Sequence, residues 1–253
     1  MSAERESHPG GINVSAERES HPGGINVSAE RESHPGGINV SAAELCARIR
    51  AELRHVEARI RGHRWLELLE AGEVPPGALQ AFAGEQMHII ASDLRSFTML
   101  ADRFADEPAH GYLTGMAAGE QAALEALRGF VASVGLDAAG YEPIPGCQAY
   151  PSYVARLARD AGPAEVAGAF LVNLEAWGGN CSRIFEALVS AYHMAPEDCA
   201  FFSLFAAPTD DLERASLAVI DAGLRQGADP TGIARAARLL QSYELLFWDS
   251  LPA

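Results

Sequence analysis

Residues 230–251 read PTGIARAARLLQSYELLFWDSL. Within this stretch Ile233, Ala237, Leu240, Glu244, Phe247 and Leu251 recur at spacings of three and four, the period of an α-helix with one apolar face. Asp229-Pro230-Thr231 supplies the start signal, a side-chain cap followed by a proline at the first helical position. Glu244 falls inside the apolar stripe, so the helix is expected to carry a carboxylate into the core. These two inferences, helical packing and an inward-facing acid, set the reading of the rest of the chain.

Working back from this segment, the pattern is helical almost throughout, rich in Ala, Leu, Glu and Arg, with no convincing run of alternating strand residues. Helices are expected over 42–61, 63–71, 76–104, 108–134, 149–161, 163–192, 196–206, 209–226 and 230–250. The punctuation supports these limits: Val74-Pro75-Pro76-Gly77 and Gly162-Pro163 open helices, and Gly140 to Gly146 is a Pro/Gly loop. Several of the segments are as long as the helices of a bundle, so a single all-α domain is expected over 42–253.

The N-terminus is different. Residues 2–40 are one 13-residue unit, SAERESHPGGINV, written three times without change. Each copy contains His-Pro-Gly-Gly, which breaks both helix and strand, and offers too few apolar residues to offset its ordering entropy. A disordered leader over 1–41 is therefore expected, and it is too short in period for a solenoid.

Composition narrows the function classes. The 253 residues hold 19 basic and 34 acidic side chains, a net charge of −15, which disfavours partners with phosphate backbones or anionic membranes. Every basic residue is arginine, so Schiff-base lysine chemistry and lysine phosphate loops are excluded. Cys46, Cys147, Cys181 and Cys199 show no CxxC pairing, no apolar run approaches the roughly 18 residues of a membrane span, and no secretory start is visible. A cytoplasmic protein with no nucleic-acid and no membrane partner is expected.

Two further glutamates repeat the Glu244 pattern. In the helix after Pro163, Leu171, Leu174, Glu175, Gly178, Cys181, Phe185, Leu188 and Tyr192 define a stripe that includes Glu175, beside Trp177. In the helix after Pro76, Met87, Ile90, Leu94, Phe97, Ala101 and Phe104 form one apolar stripe, while Glu85, His88, Ile89, Ser92 and Ser96 form a face suited to a pocket wall. A buried carboxylate without a partner costs several kcal/mol or becomes neutral. Three such acids therefore call for a metal, an amide-bearing or cationic ligand, or arginines, for which Arg95, Arg183 and Arg238 stand within reach in sequence. His55, His63 and His110 read as surface residues, His193 as a helix-end residue, and Cys181 as a small core residue.

With these residues in view, the chain resembles the TenA and PqqC group, helical proteins of the haem-oxygenase-like fold, from about Arg61 to Pro252. The resemblance rests on His63-Arg64-Trp65-Leu66-Glu67-Leu68-Leu69 with Gly72-Glu73-Val74-Pro75 and Phe82, on Ala149-Tyr150-Pro151-Ser152-Tyr153, and above all on Ser242-Tyr243-Glu244-Leu245-Leu246-Phe247-Trp248-Asp249. It implies a haem-oxygenase-like bundle and, from the thiaminase II members, hydrolysis of thiamin or aminomethylpyrimidine by a cysteine, an aspartate on the first pocket helix and a glutamate on the last helix. Glu244 matches that glutamate. The aspartate's place falls near Glu85 to Met87, and the cysteine's helix offers Glu175, so the chain is similar to the subgroup that works with a glutamate pair instead of a cysteine.

The resemblance thus implies a cytoplasmic hydrolase of a small heteroaromatic substrate, acting without a cofactor. Glu244, Glu175 and Glu85 would be catalytic, and Tyr150, His88 and Trp177 would bind substrate. The same fold includes diiron oxidases with a Glu-x-x-His element, a second glutamate and a His-x-x-x-Asp-x-x-His element. In that alternative iron would be held by Glu85, His88, Glu175 and Asp210, although the histidines of the third element are missing. A third alternative is a non-catalytic ligand-binding or regulatory relative. Assembly into homo-oligomers is common among relatives of this fold and is carried here as an expectation.

Overall fold

The computed structural model describes residues 40–207 and 209–253. The expectation about a disordered leader lies outside the described residues. The chain runs through α1 (Ala42–Arg61), α2 (Arg64–Glu70), α3 (Pro76–Arg103), α4 (His110–Ser133), α5 (Ala149–Asp160), α6 (Pro163–Ser190), α7 (Ala200–Ala206), α8 (Asp210–Arg225) and α9 (Pro230–Ser250), with a 3₁₀ turn at Pro196–Cys199 before α7. No strand is present among the described residues, and the architecture is the all-α bundle that the helical periodicity predicts. The one expected helix that divides is 196–206, where the 3₁₀ turn precedes the α-helical part.

Local signals account for the helix starts. Ser41 caps α1 in a reciprocal box with Glu44: the Ser41 hydroxyl accepts the Glu44 N–H at 3.3 Å and the Glu44 carboxylate accepts the Ser41 N–H at 3.0 Å. Asp229 caps α9 by accepting from the N–H groups of Thr231 and Gly232. His63 is a cap as well. Its Nδ1 accepts the Trp65 N–H at 3.2 Å and its Nε2 lies 3.2 Å from Asp249 Oδ1, so it ties α2 to the end of α9 and does not stand free on the surface.

The long helix α6 occupies the centre and packs against α9, α8, α7, α2 and α1, while α3 packs on α4 and α5. Gly168 permits the close approach of α6 and α9: a Cβ there would sit 2.5 Å from Ile233 Cγ2. An aromatic core closes one end of the bundle. Trp65 stacks on Phe82 at 5.0 Å, and Phe82 also meets Phe202, Phe247 and Trp248 at about 6 Å between ring centres. The Trp65 indole N–H donates to the Pro252 carbonyl at 3.0 Å, which pins the chain end to α2. Trp248 is therefore both a core ring and a neighbour of Glu244, and the rigidity of this aromatic end is passed to the acid. No described helix is long and apolar enough to cross a membrane.

Candidate functional site

A cavity lined by both apolar and acidic side chains lies between the helices. Helix α3 contributes Gln86, Ile89, Ile90 and Asp93, and α4 contributes Glu120. Helix α5 adds Tyr150, and α6 adds Phe170, Asn173, Leu174 and Trp177. Phe205 of α7 and Glu244 and Phe247 of α9 complete the wall. Apolar rings thus surround three carboxyl groups and two carboxamides.

Glu244 has the most defined setting. Its Oε1 accepts the Trp248 indole N–H at 2.9 Å, one helical turn away, and its Oε2 accepts from Asn173 Nδ2 at 3.3 Å. Asn173 is itself oriented, since its Oδ1 accepts the Tyr150 hydroxyl at 3.1 Å and its Nδ2 also donates to Gln241 at 3.1 Å. Burial pushes the Glu244 carboxyl up to about 7, against the pull of the Trp248 and Asn173 hydrogen bonds toward the ionised form. An acid so poised exchanges its proton near neutrality. Tyr150 is held well above its ordinary range by burial and then by the nearby acids, so it stays a neutral phenol.

Across the cavity, Asp93 and Glu120 are 3% and 8% exposed. Asp93 Oδ1 and Glu120 Oε2 have no hydrogen-bond partner. Burial raises both carboxyls well above the ordinary range, and the negative charge of Glu120 raises Asp93 further. The sequence reading passed over both. Asp93 lies in the stripe Ile89, Ile90, Phe97 and Leu100 that α3 buries, and Glu120 lies among Leu113, Ala123, Leu127 and Phe130 on α4. The signal was the one that identified Glu244, an acid at a core position of an amphipathic helix. The α3 stripe had been drawn about one residue out of register.

The structure corrects several expectations. Glu175 does not face inward: its side chain is 51% exposed and pairs with Arg50 at 3.0 Å and Arg61 at 3.9 Å. Two residues along a helix turn the side chain through about 200°, so with Asn173 in the cavity Glu175 must lie on the opposite side of α6. Glu85 is fully buried as expected, but it does not line the cavity. Its Oε1 accepts the Tyr141 hydroxyl at 2.7 Å and the Ile144 N–H at 2.6 Å, and its Oε2 accepts from Gln148 at 2.8 Å. Glu85 therefore fastens the 134–148 loop to α3. His88 lies outside the cavity, its ring 6.0 Å from that of Tyr141, and Asp210 is exposed in the first turn of α8.

The residues needed for an iron site are consequently scattered. Glu85 is saturated by donors, Glu175 is paired with arginines and Asp210 faces outward, so this set does not fit a metal centre. No group of three or more His, Cys, Asp or Glu side chains among the described residues is arranged to hold a metal. Tyr150 and Trp177 line the cavity. Cys181 is fully buried, and burial followed by the Glu244 charge holds its thiol well above the usual range, which keeps it a core thiol.

Fold and cavity together define a class: a helical bundle enclosing a mixed apolar and acidic pocket, with a hydrogen-bonded glutamate from its last helix. The sequence model of the TENA/THI-4/PQQC family matches residues 50–218, and the chain belongs to that family. Solved structures agree on the fold. A TenA homologue from Pseudomonas syringae pv. tomato is 14% identical with a TM-score of 0.70, covering 85% of this chain and 97% of its own. A TenA homologue from P. horikoshii is 16% identical with a TM-score of 0.66, covering 81% and 96% respectively. A domain of unknown function with a haem-oxygenase-like fold from Shewanella denitrificans is 12% identical with a TM-score of 0.62, covering 84% and 90%. No curated protein matches the chain.

Proposed function

We propose that the protein is a small-molecule hydrolase that releases an amine from an aminopyrimidine-like heteroaromatic, with Glu244 as the proton donor. The observation that carries this reading is the buried Glu244 carboxyl, raised to about 7 and held on both oxygens by Trp248 and Asn173. An acid in that state is protonated often enough to donate and ionised often enough to be regenerated.

In the proposed step Glu244 gives its proton to the leaving nitrogen as the C–N bond breaks. Water adds to the carbon, and the proton it sheds returns to the Glu244 carboxylate. Phe247 and Trp177 line the cavity with aromatic rings, and Gln86 brings a carboxamide, which pairs with a donor and an acceptor on an aminopyrimidine edge. A buried amide that is left unpaired by a ring lacking those groups would penalise its binding.

The test is hydrolysis of aminomethylpyrimidine by the wild-type chain and by Glu244→Gln. The variant keeps the side-chain shape and loses the transferable proton. Turnover in the wild type and a loss of roughly 100-fold or more in kcat in the variant support the proposal. Unchanged turnover in Glu244→Gln would remove it.

A further inference from the structure

We infer that Asp93 and Glu120 form a cation subsite that takes an alkylammonium or amidinium group of the substrate in the cavity. The inference rests on the cavity being the substrate site proposed above, and it goes further by naming the charge of the molecule that fits.

The argument starts from hydrogen-bond accounting. Buried polar atoms in folded proteins almost always have partners. Around this cavity the rule holds for Glu244, Asn173 and Tyr150 and fails for two atoms, Asp93 Oδ1 and Glu120 Oε2. Both residues are more than nine-tenths buried, and both line the cavity from adjacent helices, α3 and α4. Among the described residues no arginine hydrogen-bonds or pairs with either: Arg95 lowers Asp93 only through its field, against the larger effects of burial and the Glu120 charge.

The chemistry of the missing partner follows. Two acids that act on one another through their charges cannot both ionise cheaply in an apolar surround, so one loses its proton before the other. A bound cation favours ionisation of one of them, and the pair then presents one negative charge with acceptor oxygens on two sides. A cationic group with several N–H donors neutralises that charge and supplies partners to both orphan atoms, and charge-assisted hydrogen bonds of this kind are about twice as strong as neutral ones. A neutral alcohol or amide of the same shape supplies at most the hydrogen bonds. A metal ion is less suited, because no third donor group joins the pair among the described residues.

Access is provided as well. A second, largely apolar hollow between α4, α7 and α8 shares Glu120, Leu174 and Phe205 with the cavity, and it is bordered by Gly111, Gly115 and Gly119 of α4. At none of the three glycines would a Cβ meet another atom within 4 Å, so that face of α4 is open beside Glu120.

Isothermal titration of the full chain at pH 7.5 tests the subsite with two pairs of isosteres, benzylammonium against benzyl alcohol and benzamidinium against benzamide. Each cation is expected to bind roughly tenfold or more tighter than its neutral counterpart. The Asp93→Asn/Glu120→Gln double variant is expected to lose that preference, and Glu244→Gln to keep it. Equal binding of cation and isostere, no saturable binding of either cation, or a preference that survives in the double variant would each overturn the inference. The wild-type comparison decides the matter if the double variant does not fold. Loss of aminomethylpyrimidine hydrolysis as an activity, with the cation preference intact, would remove the proposed reaction and leave the subsite standing.

Discussion

Glu85 and Asp93 sit eight residues apart on the same helix, both buried, and they have opposite surroundings. Glu85 receives three donors, from Tyr141, Ile144 and Gln148, and so serves as an anchor for a loop. Asp93 has an orphan oxygen, a second acid opposite it and open space beside it. Burial of a carboxylate is thus common to structural and functional positions, and the state of its acceptor oxygens separates them. Glu244, whose two oxygens each accept one hydrogen bond inside the cavity wall, differs in turn from Glu175, which is spent on Arg50 and Arg61 at the surface.

The largest effect that would sharpen this contrast is on Glu244. Glu244→Gln is expected to cut aminomethylpyrimidine turnover by roughly 10²- to 10⁴-fold, while the denaturation midpoint falls by about 1 kcal/mol of stability, because Gln offers one acceptor to the two donors of Trp248 and Asn173. Next comes Glu85→Ala, expected to cost about 3 kcal/mol of stability, because it strands three donors at once. Its measure is the shift in urea midpoint, and a loss of turnover without loss of stability would break the comparison by making Glu85 a site residue. Smaller and opposite in sign, Asp93→Asn with Glu120→Gln is expected to stabilise the fold by about 1 kcal/mol at pH 8, since it removes a buried charge that the protein does not pair. Smallest, Glu175→Ala is expected to change stability by less than about 1 kcal/mol and turnover not at all, as suits an exposed ion pair.

The pH dependence of stability follows from the same groups. Glu244, Glu120 and Asp93 all have raised carboxyls in the folded chain, so the folded state binds more protons than the unfolded one between their two ranges. Stability is then greatest below the unfolded value and falls as pH rises; for Glu244 the window runs from 4.5 to about 7. Denaturation midpoints across that range should decline in the wild type and decline less steeply in the Asp93→Asn/Glu120→Gln variant, which keeps the Glu244 contribution.

Much of the fold was legible because helix periodicity, caps and prolines are local signals. Asp229-Pro230 and Gly162-Pro163 mark helix starts that the structure shows where they were expected. The site was legible only in part. Glu244 was found because α9 has a clean stripe, whereas α6 is buried on much of its circumference, from Val166 through Leu188, and in such a helix the stripe does not say which side holds the cavity. Glu175 was misplaced for that reason. Glu85 shows a second limit: its partners come from the 134–148 loop, and no pattern within α3 announces them. Asp93 and Glu120 were readable in principle, each at a core position between apolar residues, yet their juxtaposition is a product of α3 packing on α4.

The central claim is that the proton used in the reaction belongs to Glu244 in a cavity shared with Asp93 and Glu120. The pH profile of kcat for aminomethylpyrimidine hydrolysis tests it most directly. The account predicts a rate that falls as pH rises through about 7, with that limb absent in Glu244→Gln. A rate that keeps the same limb in Glu244→Gln, or that tracks Glu85→Gln instead, would contradict it.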